Sequence, residues 1–173
     1  KEEPWVLEPA KKWLNLFLKP NMIVFEYGSG GSTPFFARRV KKIVSVEFQL
    51  FWFLGVLIAL WRRRITNFKL HLSRPETGKQ MDIKYRSADQ ILHSFSYKKF
   101  VTTIDRYPNR CFNLVFIDGR ARNNCIKHAI SKVKRGGYIF LDDSNRTSYQ
   151  TGKNYLKKYK EINLDTATAW KIL

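Results

Sequence analysis

Five short apolar runs punctuate the chain: MIVFEY (22–27), IVSVE (43–47), FKLHL (68–72), NLVFID (113–118) and GYIFLD (137–142). Each is rich in β-branched and aromatic residues and ends near a polar or turn residue, as strands buried on both faces do. Stretches of helical spacing separate several of them. Strands that alternate with helices run parallel, because each return to the sheet crosses through a helix. The pattern therefore predicts an α/β fold with a mostly parallel central sheet and helices on both faces. A length of 173 residues suits one such core and is short for two, so residues 1–173 read as a single domain.

Two of the helical stretches have a clear apolar face. Between Trp5 and Leu18 that face holds Trp13, Leu14, Phe17 and Leu18. Between residues 121 and 134 it holds Cys125, Ile126, Ala129, Ile130 and Val133, with Gly136 and Gly137 expected to stop the helix before the next strand. The stretch QLFWFLGVLIALW (49–61) differs, being apolar nearly all round and followed by Arg62, Arg63 and Arg64. It is shorter than the roughly 20 residues a membrane span needs, so no transmembrane segment is expected. A buried helix after the second strand is the favoured reading. A helix lying in a membrane interface, a peripheral contact, is the alternative, and the lack of a polar face weighs against it.

Thirty-two Lys and Arg against fourteen Asp and Glu leave a formal charge of +18, a field that attracts polyanions or anionic membrane. The basic clusters at residues 38–42, 62–64, 132–135 and 157–160 fall where helices end or face water, which is also how a solvated surface reads. Cys111 and Cys125 have no CxxC or His-rich partner and read as free thiols, which fits a reducing, cytoplasmic compartment. No amino-terminal stretch has a signal-peptide layout, although the chain opens on Lys1 and an upstream segment can have been removed.

The richest chemistry lies in VFEYGSGGSTP (24–34), which runs from strand through a glycine turn into a helix, with Thr33 as candidate N-cap and Pro34 at the first helical position. Glycines let the backbone pass close beneath a ligand. The dinucleotide fingerprint GxGxxG would place its third glycine where Thr33 stands, and the acidic Glu26 is awkward beside a pyrophosphate. A carboxylate there suits the amino group and sulfonium of S-adenosylmethionine. Glu47 ends the second strand, nineteen residues beyond Gly28, where an acid can take both hydroxyls of a ribose.

Turn, preceding acid and second-strand acid together make residues 22–149 resemble the class I S-adenosylmethionine-dependent methyltransferases, which have a three-layer Rossmann-like fold. The resemblance implies that Glu26, Tyr27, Gly28, Ser29 and Gly30 line the methionine end of the cofactor, and that Glu47, with Phe48 beside it, holds the ribose. For the adenine, Glu76 and Asp89 are the candidates, with Asp89 preferred because Ser87 to Gln90 can cap a helix beside that pocket.

The runs FIDG and GGYIFLDDS resemble the catechol-type O-methyltransferases, in which an Asp after strand four and an Asp-Asn pair after strand five bind magnesium, although this chain has Asp142-Asp143 in place of that pair. By that likeness Asp118, Asp142 and Asp143 are the catalytic carboxylates and candidate Mg2+ ligands. Two other readings stand beside this one: a metal-free site with Asp118 as general base, and a purely structural role in which Asp143 and Ser144 form a capping turn. Arg120 and Arg122 flank Asp118 and are candidates to clamp a carboxylate or phosphate on an acceptor, or else to pair with Asp118 or Asp142. His71, His93 and His128 are scattered, and none stands out as a base.

The resulting expectation is methyl transfer to oxygen on a small or sugar-like anionic molecule. RNA ribose methylation is the first alternative, because the net charge would serve phosphate contacts. A non-catalytic, basic polyanion-binding module on the same fold is the second. After Asp118 the chain reads Gly119-Arg120, not the (D/N)PP(Y/F) run of enzymes that methylate base amino groups, and it has no Pro-Cys nucleophile. Class I enzymes end in an antiparallel hairpin, and EINLDTATAWKIL (161–173) leads us to expect one that is compressed or partly absent. With few insertions, acceptor selection falls to short loops, to residues 73–82, or to a partner chain.

Overall fold

In a computed structural model of the protein, residues 3–79, 81–88 and 94–173 are described. The first four apolar runs become β1 (Ile23–Tyr27), β2 (Lys42–Glu47), β3 (Phe68–Leu72) and β4 (Phe112–Ile117). They are joined by β5 (Val133–Leu141), β6 (Lys160–Leu164) and β7 (Ala167–Lys171) in one seven-stranded sheet of order β3-β2-β1-β4-β5-β7-β6. Strands β1 to β5 pair in parallel, and β7 pairs antiparallel with both β5 and β6. The order reverses at β1, so the carboxyl ends of β1 and β4 lie side by side, with a crevice above them where ligands of α/β sheets bind.

Alternation along the strands divides the core. Phe25, Tyr27, Val44, Val46, Val115 and Ile117 face one cluster, completed by α4 (Lys98–Thr102) and α5 (Arg122–Ala129) through Phe100, Val101, Cys125 and Ile126. Val24, Ile43, Leu114 and Phe116 face the other, completed by α1 (Glu8–Phe17) and α2 (Ser32–Ala37) through Ala10, Leu14, Phe35 and Phe36. Successive side chains of a strand point to opposite faces, and with both faces covered each run reads as continuously apolar.

Four local expectations are corrected. The carboxyl-terminal hairpin is complete, with β6 and β7 in register from Lys160 opposite Lys171 to Leu164 opposite Ala167, turning through Asp165 at a left-handed φ of 72°. Helix α5 ends at Ala129, and Val133 instead begins β5, pairing with Phe112; Gly136 and Gly137 lie inside that strand, where Gly136 takes a φ of 78°. Thr33 is not the N-cap of α2, which is Gly31, so Pro34 sits within the first turn and not at its opening. Finally, α3 (Leu50–Arg62) buries only Val56 and Leu60. The apolar helix expected in the core lies largely outside it.

Candidate functional site

The turn after β1 is built around Glu26. This carboxylate is fully buried, and hydroxyl groups satisfy both its oxygens: Ser32 donates to Oε1, while Thr33 and Ser45 donate to Oε2 at 2.7 and 2.6 Å. The Thr33 hydroxyl also accepts from the Gly30 N–H at 3.0 Å, so one side chain ties the glycine turn to the acid beneath it. Among the described residues no cation touches Glu26, and burial pushes its carboxyl up to about 7, against the hydroxyl donors that favour the ionised form. Gly28 is required by geometry, since its φ is +88° and a Cβ there would stand 2.6 Å from the carbonyl oxygen of Asp118.

Glu47 comes up beside this turn from the end of β2. Its Oε2 accepts from the Ser29 N–H at 3.1 Å, and its Oε1 accepts from the N–H groups of Phe48 and Gln49, each at 2.9 Å. Glu47 thus joins the first turn to the second, and burial raises its carboxyl above the usual range. Phe48 is braced edge-on by Tyr97 and Phe100. Above these groups opens a cavity of about 660 Å³, a size that suits a cofactor or small ligand. Gly28, Ser29, Gly30, Glu47 and Phe48 line one end, and Asp118, Arg120, Arg146 and Tyr149 line another part of its wall.

At the ends of β4 and β5 the acids are organised by Arg122, which is nearly buried. Its guanidinium donates to Asp118 Oδ1 at 2.8 Å, to the Asp142 carbonyl at 2.6 Å and to the Gly119 carbonyl at 3.0 Å, and it stands over the Tyr149 ring. It also approaches Asp143 at 3.8 Å, and Arg146 pairs with the same carboxylate at 2.7 Å. Asp118 is raised mainly by burial, opposed by Arg122, and is hydrogen-bonded to Asp142. Asp142 is pushed up to about 7 by burial and by the charges of Asp118 and Asp143. The Arg122 guanidinium on Asp118 favours the ionised form of that carboxyl.

This cluster does not fit magnesium. Its oxygens face guanidinium groups that a divalent cation would repel, and among the described residues no group of three or more His, Cys, Asp and Glu is placed to hold a metal ion.

Comparison with known proteins bears on the fold. No protein-family model matches the sequence, and no curated protein matches it. Solved structures do match. A protein of Streptococcus mutans assigned as a methyltransferase, in complex with SAH, aligns with a TM-score of 0.67 at 14% identity, covering 97% of this chain and 99% of that one. An rRNA methylase of Streptococcus thermophilus gives 0.65 at 15% identity over 98% and 99% of the two chains. A Staphylococcus aureus protein assigned as a caffeoyl-CoA O-methyltransferase gives 0.65 at 13% identity over 98% and 86%. The chain has the methyltransferase fold.

On that fold the expected residues divide. Gly28, Ser29, Gly30, Glu47, Phe48, Asp118, Arg120 and Arg122 reach the cavity. Glu26 and Tyr27 do not: Glu26 lies beneath the turn, and the Tyr27 ring is core, its hydroxyl donating to the Val101 carbonyl at 2.7 Å. Asp142 and Asp143 do not line the cavity, and Arg122, which does, also holds the loops together through Asp118, Gly119 and Asp142. Asp89 and His93 lie outside the described residues, although Ser87 and Ala88 line the cavity. Glu76 is in an ion pair with Lys99, away from the cavity lining.

Sequence reasoning missed Trp5, Trp52, Arg146 and Tyr149 on the cavity wall. Trp52 donates its indole N–H to the Ser29 carbonyl. Nothing local marks these residues, because each comes from an element whose own pattern reads as core or loop.

Proposed function

We propose that the protein is an S-adenosylmethionine-dependent methyltransferase that methylates oxygen on a small or sugar-like anionic acceptor. The observation that carries this reading is the junction of Glu47 with Ser29, which aims a second-strand carboxylate into the cavity floored by the glycine turn. Glu47 Oε1 is filled by the Phe48 and Gln49 N–H groups, whereas Oε2 holds the Ser29 N–H and only a long contact of 3.4 Å from the Ser29 hydroxyl, which a ribose hydroxyl would displace. The glycine turn leaves its backbone bare for the methionine end. Bound there, the cofactor would supply an electrophilic methyl group on sulfur.

The chain's own part is positioning and proton removal. Asp118 lines the cavity, and burial raises its pKa and so strengthens its carboxylate as a base; it would take the proton of an acceptor hydroxyl. Arg122 holds Asp118 in place. Arg120 and Arg146 line the same wall and offer guanidinium donors to a carboxylate or phosphate on the acceptor.

Calorimetric titration with S-adenosylmethionine and S-adenosylhomocysteine, with NAD as control, tests this proposal. Micromolar binding to the wild type, weakened at least about tenfold in Glu47→Ala, is expected. A folded wild type that binds neither compound would sink the enzyme reading and favour the basic, polyanion-binding module. RNA ribose methylation is the second reading, supported by the likeness to an rRNA methylase and by the +18 charge; it requires methyl transfer to an RNA oligonucleotide whose KM rises steeply with salt.

A further inference from the structure

We propose that α3 is a docking element for an anionic membrane surface. Phe51, Leu54, Ile58 and Trp61 follow each other at intervals of three and four residues and form one stripe, while the buried Val56 and Leu60 lie on the opposite side. The stripe faces outward: Phe51 is 87% exposed, Ile58 51% and Trp61 77%. The sheet thus holds the helix by its back, and the protein body takes the place of the polar face that an isolated interfacial helix requires. Trp5, 79% exposed, stands edge-on to Trp52 at 6.4 Å and extends the apolar surface toward the amino terminus.

Charge selects the occupant. Arg62, Arg63 and Arg64 close the helix, and all are exposed. From Glu3 to Pro75 the chain carries twelve Lys and Arg against four carboxylates, of which Glu26 and Glu47 are buried and Glu3 and Glu8 pair with Lys11. A second copy brought to this face would add a +18 chain and offer those arginines only Glu3 and Glu8 from the same region, both already paired with Lys11. An anionic bilayer supplies both things the face lacks, an apolar layer for the stripe and phosphate groups for the arginines. The arrangement is one of lying on the surface, since no helix among the described residues is long and apolar enough to cross a membrane. Trp5 and Trp52 also line the cavity, so docking brings its mouth near the lipid headgroups. The proposal does not depend on methyl transfer.

The test is flotation of the purified full chain with vesicles of pure phosphatidylcholine or of phosphatidylcholine mixed with phosphatidylglycerol, with Ile58→Glu and a combined Arg62→Gln, Arg63→Gln, Arg64→Gln variant alongside. These residues are exposed, and unchanged circular dichroism and thermal unfolding confirm that the variants fold. The expected result is binding to the anionic vesicles at least about tenfold above the neutral ones, falling at about 0.5 M salt and reduced at least about tenfold in both variants. A blue-shifted tryptophan emission on vesicle addition should accompany it. Absence of vesicle binding, equal binding to both compositions, or wild-type binding by Ile58→Glu overturns the proposal. A dimer in light scattering that Ile58→Glu dissociates while vesicle binding is absent or unchanged assigns the face to a second copy instead.

Discussion

Two carboxylate clusters stand at the ends of neighbouring strands and are held in opposite ways. At β1 and β2, Glu26 and Glu47 are surrounded by hydroxyl and amide donors, with no arginine or lysine among the described residues in hydrogen-bond contact. At β4 and β5, Asp118 and Asp143 are met by Arg122 and Arg146. The first arrangement leaves its negative potential to the cavity, which suits a cationic, hydroxyl-bearing ligand. The second is compensated internally, and its arginines extend to the wall where an anionic acceptor would sit. The likeness to metal-binding O-methyltransferases rests on the acids of the second cluster; Arg122 and Arg146 distinguish it from a set of oxygens open to a hard cation.

The contrast predicts that the second cluster depends on its cation. Arg122→Met should cost about 4 kcal/mol in urea unfolding, because it leaves three neighbouring carboxyl groups without their central guanidinium. A cost below about 1 kcal/mol would show that those acids are already mostly protonated and that the two clusters are alike.

The first cluster depends on backbone fit and on protonation. Gly28→Ala should cost about 3 kcal/mol, since it combines a positive φ with an approach of 2.6 Å to backbone oxygen, whereas Gly30→Ala should change stability by less than about 0.5 kcal/mol because the nearest atom to its Cβ is 3.6 Å away. Comparable losses at the two positions would break the assignment of Gly28 as the constrained residue.

A smaller effect should appear in the pH dependence. Glu26 is raised from 4.5 to about 7, so the folded state binds its proton more tightly than the unfolded chain does. Its contribution favours folding at low pH and is lost as pH rises from about 4.5 to about 7, a change of at most about 3 kcal/mol. Glu26→Gln should flatten the decline in stability across that window by about 2 kcal/mol, measured by urea unfolding at several pH values. An undiminished slope would shift the titration to Asp142, which is raised to about 7 as well.

Much of this was legible in the sequence. The runs at 22–27, 43–47, 68–72 and 113–118 became strands within a residue or two, because strands buried on both faces carry their signal in composition as well as in period. The glycine turn and Glu47 were legible because a strand–turn–helix crossing fixes their relative position locally. The hairpin at 160–171 was under-read since short strands with Thr, Asn and Lys show little contrast. Val133 was misassigned to a helix because its apolar spacing fits both a last helical turn and the first residue of β5, and only pairing with Phe112 decides between them.

The sequence by itself determined the parallel α/β order, the glycine turn over an acid, the carboxylate ending β2 and the excess of positive charge, all of which follow from local pattern and composition. Tertiary structure alone decided that Tyr27 is core, that Arg122 joins the acids of β4 and β5, that tryptophans from two elements line the cavity and that α3 turns its aromatic stripe outward. The reason is that these depend on which elements become neighbours. A helix apolar on every side contains no information about which side the sheet will claim.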